Sequence, residues 1–126
     1  MYYDLLAKLK NAEQAKKETF LTPFSKMDLS VAKILSQAGY VGDVQKKNVG
    51  RREYLEIRVA RGKKTHMLSD FKIVSKPSRR LYVGHENLRP VRQGYGIAVI
   101  STPQGLMNNK DAKKNKVGGE YLFEIW

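Results

Sequence analysis

A chain of 126 residues with 24 Lys+Arg against 12 Asp+Glu carries a formal charge of +12 and contains no cysteine. Disulfide frameworks, thiolate metal sites and cysteine nucleophiles are thereby excluded, and an intracellular protein is the expectation. The longest apolar run, Ile97-Ala98-Val99-Ile100, is far shorter than the roughly 18 residues of a membrane-spanning helix. The opening Met1-Tyr2-Tyr3-Asp4 shows no basic stretch leading into an apolar one, so no secretory signal and no membrane partner are expected.

Leu5, Leu6, Leu9 and Ala12 fall on one helical face, with Lys8, Asn11 and Gln14 or Ala15 on another, which predicts an amphipathic first helix ending near Lys17. Thr19 to Thr22 is β-prone, and Pro23 holds the residue before it extended. Ser25 and Asp28 form a capping pair for a second helix, whose Met27, Val31, Ile34, Leu35 and Ala38 repeat at helical spacing until Gly39 stops it. The period then changes. Tyr40 to Val44 reads as a strand, Lys46 to Arg52 as a basic turn, and Tyr54 to Val59 as a returning strand with Leu55, Ile57 and Val59 on its apolar side. Arg61-Gly62-Lys63-Lys64 predicts another turn before Thr65 to Leu68.

The second half reads as mainly β. Phe71 to Val74, Arg80 to Val83 and Ile97 to Ser101 are expected strands. Asn108 caps a brief helix to about Asn115, Gly118-Gly119 interrupts it, and Tyr121, Phe123 and Ile125 alternate along a last strand as if sharing one face. The expected class is α+β in two small α/β domains, with a boundary near Asp70. Residues 1–70 form an α-β-α-β-β unit and residues 71–126 a mainly β unit with one short helix. Halves of this size bury only about 60% of their unfolded surface, so each would lean on the other or on a partner.

The charge is spread through this folded sequence. Before a cut after Thr65 there are 14 basic and 7 acidic residues, and after it 10 and 5. Both parts are positive, which points to a surface shaped to a polyanion, nucleic acid first. Catalysis finds little support. His66 and His85 lack metal-ligand spacing, and Gly94-Tyr95-Gly96 precedes its strand, the reverse of a nucleotide loop. The acids Glu53, Glu56, Asp70, Glu86, Asp111 and Glu120 are scattered, so neither enzyme activity nor a cofactor or metal is expected. The informative segment is Gly96 to Met107, continued by Asp111-Ala112-Lys113. In it an apolar strand runs into Ser101-Thr102-Pro103-Gln104-Gly105, a loop of short hydroxyl donors suited to phosphate, ribose 2′-OH or base edge.

That segment resembles the signature of the universal eighth ribosomal protein family of the small subunit, bacterial type, with its strand, Ser-Thr-x-x-Gly and two apolar residues. Further matches are Asp4-Leu5-Leu6 with Lys8-Leu9-Lys10-Asn11-Ala12, Pro23-Phe24-Ser25-Lys26, Gly39-Tyr40-Val41, Val74-Ser75-Lys76-Pro77 with Arg79-Arg80-Leu81-Tyr82, and Gly118-Gly119-Glu120. The resemblance implies a structural constituent of the small ribosomal subunit, located in the cytoplasm and monomeric off the ribosome. It implies binding to the central domain of 16S rRNA, contact with neighbouring small-subunit proteins, and in many bacteria repression of the protein's own operon messenger RNA.

By matching position, the resemblance places RNA contacts on Ser101, Thr102, Gly105, Tyr82, Gly118, Gly119 and Glu120, with Lys76, Arg79 and Arg80 beside them. The amino-terminal half adds Lys8, Lys10, Asn11, Ser25 and Lys26. Physically, Ser101 and Thr102 would donate hydrogen bonds. Tyr82 either stacks on a base or serves as a core aromatic, and Glu120 either accepts from a base amino group or braces the backbone. Pro103 and Gln104 stand where the family usually has a third hydroxyl and a basic residue, Ser78 replaces a usual glycine, and lysine replaces a common arginine in the first helix. The rival readings are an RNA-binding regulator acting off the ribosome and a basic nucleic-acid-processing enzyme.

Overall fold

The leucine stripe of the first helix produces α1 (Tyr2–Gln14), in which Leu5, Leu6, Leu9 and Ala12 are buried together with Tyr2. The computed structural model describes residues 2–59, 70–76, 78–91 and 96–126. The expected turn at Arg61 to Lys64, the segment Thr65 to Leu68, His66 and the pair Gly94-Tyr95 lie outside the described residues. The chain divides into two compact units, residues 1–68 and 69–126, and the architecture is α+β.

In the first unit α1 is followed by β1 (Thr19–Pro23), α2 (Lys26–Ala38), β2 (Val41–Val49) and β3 (Arg52–Val59). Ser25 caps α2, its Oγ accepting from the Asp28 backbone N–H at 3.0 Å. The helix closes at Gly39, φ 89. There the Tyr40 N–H donates to the Leu35 carbonyl at 2.9 Å and the Gly39 N–H to Ser36 at 3.1 Å, the paired bonds of a Schellman cap. The same cap ends α1 with Lys16 in the left-handed position, φ 55, where the Lys17 N–H reaches Ala12 at 2.9 Å and the Lys16 N–H reaches Glu13 at 3.3 Å. A side chain at positive φ crowds its own backbone, which glycine avoids. Chemical denaturation should therefore show opposite signs at equivalent sites of one motif: Gly39→Ala loses about 1 kcal/mol, and Lys16→Gly gains up to about 1 kcal/mol.

The three strands order as β1-β3-β2, all antiparallel, with Leu55, Ile57 and Val59 buried as expected. The basic turn differs from expectation. Lys46 to Val49 and Arg52 are strand residues, pairing continues to Val49 opposite Arg52, and only Gly50 and Arg51 make the turn. Gly50 takes φ 63 at the first turn position, and that allows a two-residue connection matched to strand twist.

The second unit is built around β8 (Gly119–Ile125). One edge of β8 pairs with β6 (Ile97–Thr102). The other pairs with β4 (Phe71–Ile73) along one end and β5 (Tyr82–Val83) along the other. Outside β6 lies β7 (Gly105–Asn108), a strand that the residue pattern does not predict. The Asn108 side chain accepts from the Asp111 N–H at 2.7 Å and starts α3 (Asn109–Lys114). Leu88, Val91, Ala98, Ile100 and Ala112 form a buried cluster with Tyr121 packed against it.

Tyr121 does not share a face with Phe123 and Ile125. Val99 pairs with Phe123 but Ile100 pairs with Tyr121, so Leu122 is an extra residue in β8 and the alternation reverses there. The bulged Leu122 carbonyl accepts from the Val74 and Ser75 N–H groups at 3.0 and 3.2 Å. On its new face the Tyr121 hydroxyl donates to Glu124 Oε1 at 2.7 Å. Burial, then that bond and the carboxylate's charge, push the tyrosine pKa well above its ordinary value.

Candidate nucleic-acid interface

Directly opposed residues in a sheet point to the same face. Tyr82 lies opposite Glu120, Glu120 opposite Ser101, and Ser101 opposite Leu106. Four strands thus present one transverse row, and with strands about 4.8 Å apart Tyr82 and Ser101 stand about 10 Å from each other across Glu120. Tyr82 is 72% exposed, which rules out the core-aromatic alternative and leaves its ring open to stacking.

The structure separates the two hydroxyls. Thr102 is buried, its Oγ1 donating to the Gly105 carbonyl at 2.7 Å and accepting from the Gln104 N–H at 3.2 Å. Its proton closes the hairpin between β6 and β7 and so shapes the loop. Ser101 is half-buried, and among the described residues its hydroxyl makes no hydrogen bond. Pro103 occupies the first turn position, where its fixed φ suits the bend. Gly105 sits at φ 116 in open space, a conformation closed to other side chains.

Glu120 is a brace. Its Oε2 accepts from Ser75 Oγ at 2.6 Å and from the Arg80 guanidinium at 3.1 Å. Ser75 is fully buried and also accepts from the Leu81 N–H at 3.3 Å. One carboxylate therefore ties the segment before β5 to β8, and Arg80 offsets a charge that would otherwise repel phosphate. The neighbouring turn closes through mutual Lys76 and Arg79 backbone bonds, both 2.9 Å, and both side chains are exposed beside the row. Gly118 and Gly119 have a packing reason for being glycine. A Cβ on Gly119 would fall on the Ser101 carbonyl, and one on Gly118 on the Val83 carbonyl. The sequence does not mark Ser75 as a site residue, because its partner Glu120 lies 45 positions away, and its only trace is its place in the Val74-Ser75-Lys76-Pro77 match.

The amino-terminal residues fall into separate places. Lys8 and Asn11 line a groove of about 480 Å³ between α1 and β1 with Lys17, Phe20 and Leu21, and Lys8 Nζ lies 3.4 Å from the Leu21 carbonyl. Lys10 lies about 200° around the helix from Lys8 and is not part of that groove. Ser25 serves as the cap of α2, and Lys26 is exposed in its first turn. Among the described residues, no three His, Asp or Glu side chains gather as a metal site, and no helix is long and apolar enough to cross a membrane.

The family model described as Ribosomal protein S8 matches residues 2–126. The chain is similar to the small ribosomal subunit protein uS8 of Mycoplasmopsis agalactiae, 38% identical over 123 residues that span 98% of this chain and 94% of that one. It is likewise similar to the uS8 protein of Caldicellulosiruptor bescii, 39% identical over 124 residues with the same coverage. The uS8 protein of Nitratidesulfovibrio vulgaris is 41% identical over 123 residues, again across 98% and 94% of the two chains.

Proposed function

The chain belongs to the ribosomal protein S8 family, and from that membership we propose that it is a non-catalytic structural protein of the cytoplasmic small ribosomal subunit. It binds the central domain of 16S rRNA directly, helps assemble that part of the subunit beside neighbouring ribosomal proteins, and is monomeric before incorporation. The observation that carries this reading is the row of exposed Tyr82, braced Glu120 and Ser101, whose hydroxyl has no partner among the described residues, across β5, β8 and β6. A ring for stacking and a short donor, held rigidly about 10 Å apart by strand spacing, fit an unpaired base and its sugar-phosphate neighbour. Lys76 and Arg79 at the row's edge supply phosphate neutralisation without base selectivity, while Arg80 cancels the charge of Glu120. The family resemblance extends the reading to repression of the chain's own operon messenger, where an RNA fold imitating the ribosomal site would meet the same row.

Crosslinking in cells followed by sequencing of the bound RNA tests this. Reads concentrated in one segment of the 16S central domain are expected, with a second, smaller peak on the operon messenger. Reads scattered over messengers without a ribosomal peak would replace the ribosomal reading with that of a free regulator.

A further inference from the structure

The basic hairpin of the first unit takes no part in the interface described above. Gln45 to Glu53 are nine consecutive exposed residues. β1 pairs with β3 as far as Pro23 opposite Tyr54, with one further bond from the Phe24 N–H to the Glu53 carbonyl at 3.1 Å, so beyond Glu53 the hairpin continues as a two-stranded ribbon with no third strand among the described residues. Such a ribbon buries no core and is marginal by itself, so its charges are informative. Lysines on the edge strand β2 have a ready explanation, because charged side chains discourage edge-to-edge pairing. Lys46 is also engaged, 3.3 Å from Glu53 and 4.5 Å from the Phe24 ring centre, and Lys47 lies 2.6 Å from Glu56.

Arg51 and Arg52 have no such explanation. Among the described residues neither carries an acidic partner. Arg52 shares the outer face with Val49, which is 56% exposed. Both arginines line an open groove of about 420 Å³ with Pro23, Phe24, Glu53 and Tyr54. Glu53 is already matched to Lys46, so the groove presents two guanidinium groups without an acidic partner among the described residues, beside the rings of Phe24 and Tyr54. Guanidinium forks match phosphate oxygens bidentately.

We propose that the β2–β3 hairpin tip is a second, independent RNA contact, in which Arg51 and Arg52 hold backbone phosphates and a nucleotide rests against Tyr54. The choice of RNA as partner rests on the reading of the chain as a ribosomal RNA-binding protein. The contact positions and carries no base selectivity.

Because the chain has no cysteine, Asn48→Cys and, in a separate protein, Gln104→Cys each give a single attachment point for tethered iron-EDTA. Each full-length conjugate is bound to a 16S central-domain transcript and assembled into small subunits. Strand scission from both positions, at different RNA segments, is the expected result. Scission from 104 alone overturns the hairpin contact and leaves the main interface standing. Scission from 48 alone upholds the hairpin and overturns the main interface. Silence from both overturns both. Cleavage of a neighbouring polypeptide from 48, with no RNA cut, assigns the tip to a protein partner and overturns the proposal. In parallel, Arg51→Gln with Arg52→Gln should flatten the dependence of log affinity on log salt by about two units with thermal unfolding unchanged. An unchanged slope argues against phosphate contact.

Discussion

Gly119→Ala is expected to abolish the folded sheet of the second unit. The added Cβ would lie on the Ser101 carbonyl and within 3.1 Å of the Thr102 Cα. Neither is the end of a flexible side chain. Both belong to β6, which pairs with β8 on one edge and β7 on the other, so relief requires breaking strand pairing. The cost should be at least about 4 kcal/mol, against about 3–9 kcal/mol for a unit of this size. Thermal unfolding with amide exchange across β6 and β8 would measure it. Gly84→Ala is the control. Nothing lies within 4 Å of its Cβ and its φ of −83 suits any residue, so stability should stay within about 0.5 kcal/mol of the parent. Equal losses from both substitutions would show that lack of space is not why Gly119 is glycine.

The second large effect is on RNA affinity and divides the interface residues by role. Tyr82→Ala should weaken binding to the cognate RNA fragment by about 1–3 kcal/mol, roughly 5- to 150-fold, with the melting temperature unchanged because the ring is exposed. Ser101→Ala should cost about 0.5–1.5 kcal/mol in affinity and nothing in stability, since its hydroxyl has no partner among the described residues. Thr102→Val should do the reverse. It removes the bond to the Gly105 carbonyl and strands the Gln104 N–H, lowering stability by about 1–2 kcal/mol. Titration calorimetry and thermal melts on the three variants separate these outcomes. Loss of affinity without loss of stability in Thr102→Val would place its hydroxyl on RNA.

These contrasts rest on distinctions that motif reading does not contain. Ser101 and Thr102 are adjacent hydroxyls in one signature, yet strand alternation sends them to opposite faces, one into the hairpin turn and one into the row. Glu120 leaves two roles open until Ser75 and Arg80, 45 and 40 positions away, are seen on one of its oxygens. The strand β7 is not legible in the sequence because Gly105 and Asn108 are weak strand formers, and its stability comes from pairing with β6. The reversed face of Tyr121 has the same origin, since a bulge is a property of two paired strands and leaves no local trace.

Where interactions are local, the sequence alone was sufficient. The stripes of α1 and α2, the Ser25 and Asn108 caps, the Gly39 stop, and the alternation of Leu55, Ile57 and Val59 each depend on neighbours within about four residues, so spacing and residue type determine them. The ordered motifs point to the family by the same token, and the +12 charge points to a polyanion as the partner to expect. Tertiary structure decided which of those cations are already neutralised: Lys46 by Glu53, Lys47 by Glu56 and Arg80 by Glu120. It also decided which groups are left facing solvent together, Tyr82 with Ser101 in one unit and Arg51 with Arg52 in the other. Both depend on strand order and register, which are set by burial of faces far apart in the chain.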